Sequence, residues 1–250
     1  MHNMLKKMLV LGTIILLFGV SSASALSTNV DSTKIIEYIE SLSPDTVIFN
    51  PTDDATILQP NPNETNTGLK LRNRGSGGFT WQGLIKFDIS TIPTNAEIIS
   101  ATLNCFYRTF DDNNPKDHVI NLYRITSDWM EETVTWNTQP TCVFQPTSYI
   151  IMPISPGVWL QWDVKSDIEY FVKGLEDNFG WKISDDTLWP PWPDIPITRL
   201  NYKEYEIDIP YIEIEFTRSR SRDITNPFLF RLFEHFPNAF PILRQLLGFQ

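Results

Sequence analysis

The chain has 250 residues, 30 of them acidic and 20 basic, giving a formal charge of −10. An acidic body argues against nucleic acid as a partner held by bulk electrostatics, while leaving room for a local basic patch. Past Val20 no run is long and apolar enough to be a transmembrane helix.

At the N-terminus, Lys6 and Lys7 form a short positive region ahead of the apolar run Met8 to Val20, and Ala23-Ser24-Ala25 supplies small residues at the positions a signal peptidase reads. This is the pattern of a secretory signal, residues 1–25, cleaved after Ala25. The run is too short to span a bilayer, which needs roughly 20 residues. Its removal takes the formal charge from −10 to about −12 and implies a secreted, extracellular protein. Asp31-Ser32-Thr33 can cap a short helix with Ile35, Ile36, Ile39 and Leu42 at helical spacing, ended by Ser43-Pro44. Residues 26–44 thus read as a helical leader.

From residue 45 to about 217 short apolar or alternating runs recur, separated by Asn, Pro, Gly and Asp clusters such as Asn61-Pro62-Asn63 and Asp111-Asp112-Asn113-Asn114. The expected strands lie at 47–49, 55–58, 68–73, 84–89, 98–107, 119–125, 133–136, 149–154, 159–164, 181–184, 197–200 and 211–216. Many short strands with turns between them predict an all-β antiparallel jelly-roll sandwich. One helix interrupts it, with Val164, Ile168, Phe171, Val172 and Leu175 on its apolar face and a stop between Gly174 and Asn178. Residues 218–250 differ again. They hold five arginines against Asp223 and Glu234, and apolar runs hinged at Pro237. A basic linker followed by two short amphipathic helices is the simplest reading. Such a tail suits a membrane surface or another envelope protein as its partner, or serves as a sorting signal, or folds back on the sandwich.

Candidate site residues follow from these placements. Period-two alternation puts Lys70, Arg72 and Arg74 on one strand face, opposite Leu69 and Leu71. Three cations on an acidic protein suit uronate or sulfated sugars, because guanidinium groups pair with carboxylates in two-point contacts. The alternative is a solvated face paired with neighbouring acids. Trp189 and Trp192 sit in the stiff Leu188-Trp189-Pro190-Pro191-Trp192-Pro193 segment, able to stack on pyranose rings or to pack as a lid. Cys105 and Cys142 are a permissible disulfide in an exported chain, although Cys105 also reads as a buried thiol on the strand face of Ala101 and Leu103. Asn63-Glu64-Thr65 is an acceptor sequon for glycosylation. A structural calcium would find hard oxygen donors at Asp53-Asp54 or in the loop 111–114, without ordered ligand spacing. No cofactor is otherwise implied. Asp128 and Glu131 stand beside Trp129 and Trp136, where turn chemistry and core tryptophans explain them better than a glycosidase acid and base.

Several segments also match a known family in order. They are Asp54-Ala55-Thr56-Ile57, Asn66-Thr67-Gly68 with Leu69-Lys70-Leu71, and Leu84-Ile85-Lys86-Phe87-Asp88-Ile89-Ser90-Thr91-Ile92-Pro93. Leu122 to Trp129 follows, then Glu131-Glu132-Thr133-Val134-Thr135-Trp136-Asn137-Thr138-Gln139-Pro140, Trp162-Asp163-Val164 and Gly180-Trp181-Lys182-Ile183. With these the region 45–217 resembles the DNRLRE, or disaggregatase-related, domain, which overlaps a family of carbohydrate-binding modules. The resemblance implies an exported jelly-roll sandwich, often attached to larger surface or polysaccharide-acting proteins, and does not by itself imply an enzyme. The expectation is therefore a non-catalytic cell-surface protein binding polysaccharide, above all anionic. A structural or adhesion protein without sugar specificity is the alternative, with a small polysaccharide-degrading enzyme third.

Overall fold

A computed structural model describes residues 44–73, 78–187 and 195–218. The signal, the helical leader, Arg74, Trp189, Trp192 and the tail beyond Arg218 lie outside the described residues. Within them the chain forms β1 (Asp45–Phe49), β2 (Pro51–Leu58), β3 (Leu69–Leu71), β4 (Trp81–Phe87), β5 (Ala96–Asp111), β6 (Val119–Arg124) and β7 (Ser148–Ile151). Then come β8 (Val158–Asp163), α1 (Lys165–Val172), β9 (Trp181–Asp185), β10 (Ile197–Leu200) and β11 (Tyr211–Arg218).

The strands make two antiparallel sheets, the all-β sandwich that the alternation predicts. The larger runs β1-β11-β5-β10-β3, with β8 added to β5, and the smaller runs β2-β4-β9-β6-β7. Successive strands often change sheet, so the two layers are stitched by their connections. β5 organises the larger sheet: Thr102, Leu103 and Asn104 pair with β11 on one edge and β8 on the other. Beyond the end of β11, the same edge of β5 takes up β10.

Alternation explains which side chains meet. β11 turns Ile212, Ile214 and Phe216 inward and Glu213 outward, and β5 buries Ala101, Leu103, Cys105 and Tyr107. Facing them from the smaller sheet are Ile85, Phe87, Ile120, Leu122, Trp181 and Ile183, which join the same core cluster. α1 closes one side of this core with Ile168, Phe171 and Val172. Leu175 corrects the expected apolar face: Gly174 takes a φ of 64° and turns the chain, leaving Leu175 exposed at 64%.

A second cluster lies on the outside of the smaller sheet. Ala55, Ile57 and Leu84 are covered there by Ile125, Trp129 and Val134. This overturns the strand expected at 133–136. The segment is a turn, in which Val134 N–H donates to the Met130 carbonyl and Thr135 and Thr138 exchange backbone-to-hydroxyl bonds. Val and Thr are enriched in strands because they suit half-buried surfaces. Here Val134 reaches such a surface as a plug, and its backbone is satisfied locally.

The two cysteines are free thiols, so the disulfide does not form. Cys105 belongs to the inter-sheet core, whereas Cys142 packs against the outer cluster beside Ile125. They serve different layers. Burial pushes the Cys105 thiol well above its ordinary value, which makes it inert as a nucleophile.

Candidate functional site

The outer face of the larger sheet gathers cations from strands far apart in sequence. β3 presents Lys70 outward between the buried Leu69 and Leu71. β10 pairs with β3 so that Arg199 stands directly opposite Lys70. A β-bulge where β10 meets β5 sets Arg199 against Thr109 and Leu200 against Tyr107, making Arg108 the extra residue. Arg108 therefore joins the same neighbourhood.

Their crowding registers in the proton affinity of Lys70. Its ammonium is held below the ordinary lysine range, first by partial burial and then by Arg199 and Arg108, with Asp111 opposing. Asp111 is the local counter-ion: one of its oxygens accepts from Arg199 Nε at 2.6 Å and also meets Arg199 Nη2. Arg72, the next outward residue of the strip, lies 4.0 Å from Asp112 and stacks at 5.6 Å over Trp81. The Nε atoms of Arg72 and Arg108 are buried and have no hydrogen-bond partner among the described residues. Arg108 also covers the ring of Tyr205 at 5.1 Å, and Tyr205 meets Tyr202 edge-on at 5.7 Å.

Further along the same face is an aromatic and amide plateau. Leu103, Cys105 and Tyr107 point inward and Phe106 stands half-buried between them, while Asn104 is buried, its Nδ2 donating to the Thr102 carbonyl at 3.0 Å. Phe106 meets Trp159 of β8 at 5.3 Å, and Trp159 meets Tyr211 of β11 at 5.1 Å, both edge-on. Gln161 donates to Asn104 at 2.9 Å beside them. Half-buried rings beside the exposed Gln161 amide offer faces for the C–H side of a pyranose and a polar group for its hydroxyls. Guanidinium and ammonium groups at one end add affinity for carboxylate or sulfate.

The structure thus places Lys70 and Arg72 on the outward face expected for them. It adds Arg108, Arg199 and the plateau, which sequence reading missed. A signal existed for each, since Arg199 alternates with the buried Thr198 and Leu200, and Arg108 shares its face with Phe106. What was hidden was their proximity. Arg74, Trp189 and Trp192 fall in the segments 74–77 and 188–194, outside the described residues, but the bases of those segments meet: Asn73 Nδ2 donates to the Thr187 carbonyl at 3.1 Å. Asn63 is solvent-exposed in its turn, its Oδ1 accepting from Asn137 at 2.8 Å.

Of the acids read as calcium donors, Asp53, Asp111 and Asp112 stand beside cations, whereas Asp54 is buried. Asp53 lies 3.5 Å from Lys86, and Asp111 and Asp112 face Arg199 and Arg72. Asp128 stands 3.9 Å from Lys86 with its side chain 72% exposed, and Glu131 pairs with Lys203. Trp129 is buried with its indole N–H donating to the Phe179 carbonyl at 2.8 Å.

In comparison with known proteins, the family model of carbohydrate-binding module family 96 matches residues 45–189, from β1 through β9. No curated protein matches the chain. The family match includes Lys70, Arg72 and Arg108 and stops before Arg199.

Proposed function

The chain belongs to carbohydrate-binding module family 96, and from that premise we propose that it is an exported, non-catalytic sandwich that holds anionic polysaccharide on the outer face of its larger sheet. The observation that carries this reading is the convergence of Lys70, Arg108 and Arg199 on an otherwise acidic protein. Among the described residues, Asp111 is the carboxylate that acts on Lys70 beside Arg199 and Arg108. A glycan carboxylate can take the place of Asp111 on Arg199, and rings of the same chain can lie toward Trp159 and Tyr211. The ordered motifs at 84–93 and 131–140 support placing the chain with the DNRLRE domains within this wider group.

The remainder of the domain plan rests on sequence: a signal at 1–25, a leader at 26–44, and a basic tail at 218–250 that attaches the sandwich to the envelope or a partner. β11 runs to Arg218, which is where a truncation should end. Such a truncated chain should keep its glycan binding and lose envelope association. Association that survives truncation would remove the tail from the proposal.

A glycan array with the mature chain tests the main reading. Saturable binding to acidic glycans is expected, and Arg108→Ala with Arg199→Ala should weaken it at least about tenfold, the loss of one or two charge-assisted contacts. The melting temperature should stay close to that of the parent. Silence across the array would favour a structural surface protein without sugar specificity.

Proton linkage gives a second check on the same face. A bound carboxylate favours charged Lys70, so affinity should be full while Lys70 is protonated. It should decline as pH rises through the lowered Lys70 value, earlier than an ordinary lysine would titrate. Titrations of parent and Lys70→Met against pH decide it: the alkaline decline should vanish in the variant. An identical decline in both would assign the effect to another group.

A further inference from the structure

We propose that Asp54, Glu131 and Glu204 form a calcium site that ties together three segments of the sandwich. Asp54 comes from β2, Glu131 from the segment between β6 and β7, and Glu204 from the segment between β10 and β11. One carboxylate oxygen from each lies within 4.8 Å of the others. Calcium binds oxygens at about 2.3–2.6 Å, so two ligands of one ion stand no more than about 5 Å apart. The separation fits.

The second observation is an orphaned oxygen. Asp54 is fully buried, and among the described residues its Oδ1 has no hydrogen-bond partner. Its Oδ2 accepts the Lys203 backbone N–H at 2.5 Å. Buried carboxylate oxygens are costly unless they meet a donor or a cation.

Among the described residues, Lys203 is the cation in the group. Its ammonium contacts Glu131, lies 3.4 Å from Glu204 Oε1 and donates to the Thr52 carbonyl at 3.1 Å. One ammonium against three carboxylates leaves the group electronegative, and its hydrogen bonds do not include Asp54. The Lys203 side chain is 24% exposed, so it has a path to solvent. A divalent ion in its place would bring a second charge and engage Asp54 Oδ1. The Thr52 carbonyl is a further oxygen donor. An all-oxygen set with carboxylates from separate segments suits calcium better than zinc, which takes nitrogen and sulfur.

Such a site would do structural work. Glu131 belongs to the segment that plugs the outer cluster, and Glu204 precedes Tyr205, over which Arg108 stacks. The ion would hold both segments against β2 and stiffen one border of the cationic face. The metal site itself does not depend on the glycan reading.

The test uses the full mature chain, stripped with chelator and titrated with calcium chloride, magnesium chloride and terbium chloride. Calcium should raise the melting temperature by several degrees, more than magnesium at equal concentration. Terbium should give luminescence sensitised by Tyr202 and Tyr205 and displaced by calcium. Glu204 has a half-exposed side chain, so Glu204→Gln should melt near the parent in chelator. In calcium it should bind at least about tenfold more weakly, as expected for loss of a charged ligand. Glu131→Gln should behave alike in calcium. A melting temperature indifferent to calcium overturns the proposal, and so does a calcium response that both variants retain in full. Because no glycan enters the experiment, its failure leaves the polysaccharide reading standing.

Discussion

Gly180→Ala is expected to destabilise the sandwich by about 3 kcal/mol or more, lowering the melting temperature by roughly 6–12 °C. Two penalties combine at this position. Gly180 has a φ of 77°, in the left-handed region that costs an L-residue about 1–2 kcal/mol. It also crosses β4 so closely that an added Cβ would stand 2.8 Å from Lys86 Cα and 3.0 Å from the Ile85 carbonyl carbon, with the Ile85 oxygen nearer still. Those atoms are backbone, in a strand paired on both edges. They cannot swing aside as a side chain would. Gly180 also accepts the Ile125 N–H through its carbonyl at 3.0 Å, so displacement would disturb the outer plug as well.

Gly157→Ala provides the control. Its φ is 84°, yet a Cβ there would meet nothing within 4 Å. It should lose only the conformational part, about 1–2 kcal/mol. Urea melts of the two variants separate the contributions. If Gly180→Ala costs no more than Gly157→Ala, the close crossing over β4 is not what requires glycine.

The second large effect is expected at Asp167, at the buried face of α1. Its Oδ2 accepts from Thr147 at 2.6 Å and from the Trp181 indole N–H at 2.8 Å, and its Oδ1 lies 3.2 Å from Arg124 Nε. Asp167 and Trp181 are buried, and the Arg124 side chain is only 12% exposed. Asp167→Ala would leave a guanidinium and an indole N–H without their acceptor in a low-dielectric interior. Removing one partner of a buried ion pair costs about 3–5 kcal/mol, much of it the penalty on the charge left behind. Glu176, 3.1 Å from Arg124 Nη1, and the Tyr170 ring at 5.6 Å soften the loss without replacing it. Asp167→Asn should be milder, since an amide oxygen still accepts from Trp181. Equilibrium melts measure both. A loss below about 1 kcal/mol for Asp167→Ala would mean that Arg124 finds an equivalent partner in Glu176.

The apolar half of the fold was legible because alternation is a local property. A strand such as Tyr211-Ile212-Glu213-Ile214-Glu215-Phe216 declares its inner face in its own letters, and so does Ala101-Thr102-Leu103-Asn104-Cys105. The same rule exposed Lys70 and Arg72 and left Leu69 and Leu71 inside. Leu175 and the segment 133–136 show its limit. Helical spacing does not know that Gly174 has already reversed the chain, and a β-rich composition does not distinguish a ladder from a buried plug.

Alternation and motif order alone thus yield most of the strands, the face taken by most of their side chains, and a carbohydrate-binding module family. Which strands become neighbours was decided by tertiary structure. Lys70, Arg108 and Arg199 meet because β10 lies between β3 and β5 and a bulge turns Arg108 toward them. Asp54, Glu131 and Glu204 meet because two connecting segments fold back on β2, and Cys105 and Cys142 stay apart because they serve different layers. The physical reason is common to all three cases. The period-two backbone fixes orientation residue by residue. Proximity between distant residues is set by pairing and packing energies summed over the whole sandwich, and no short stretch of sequence contains them.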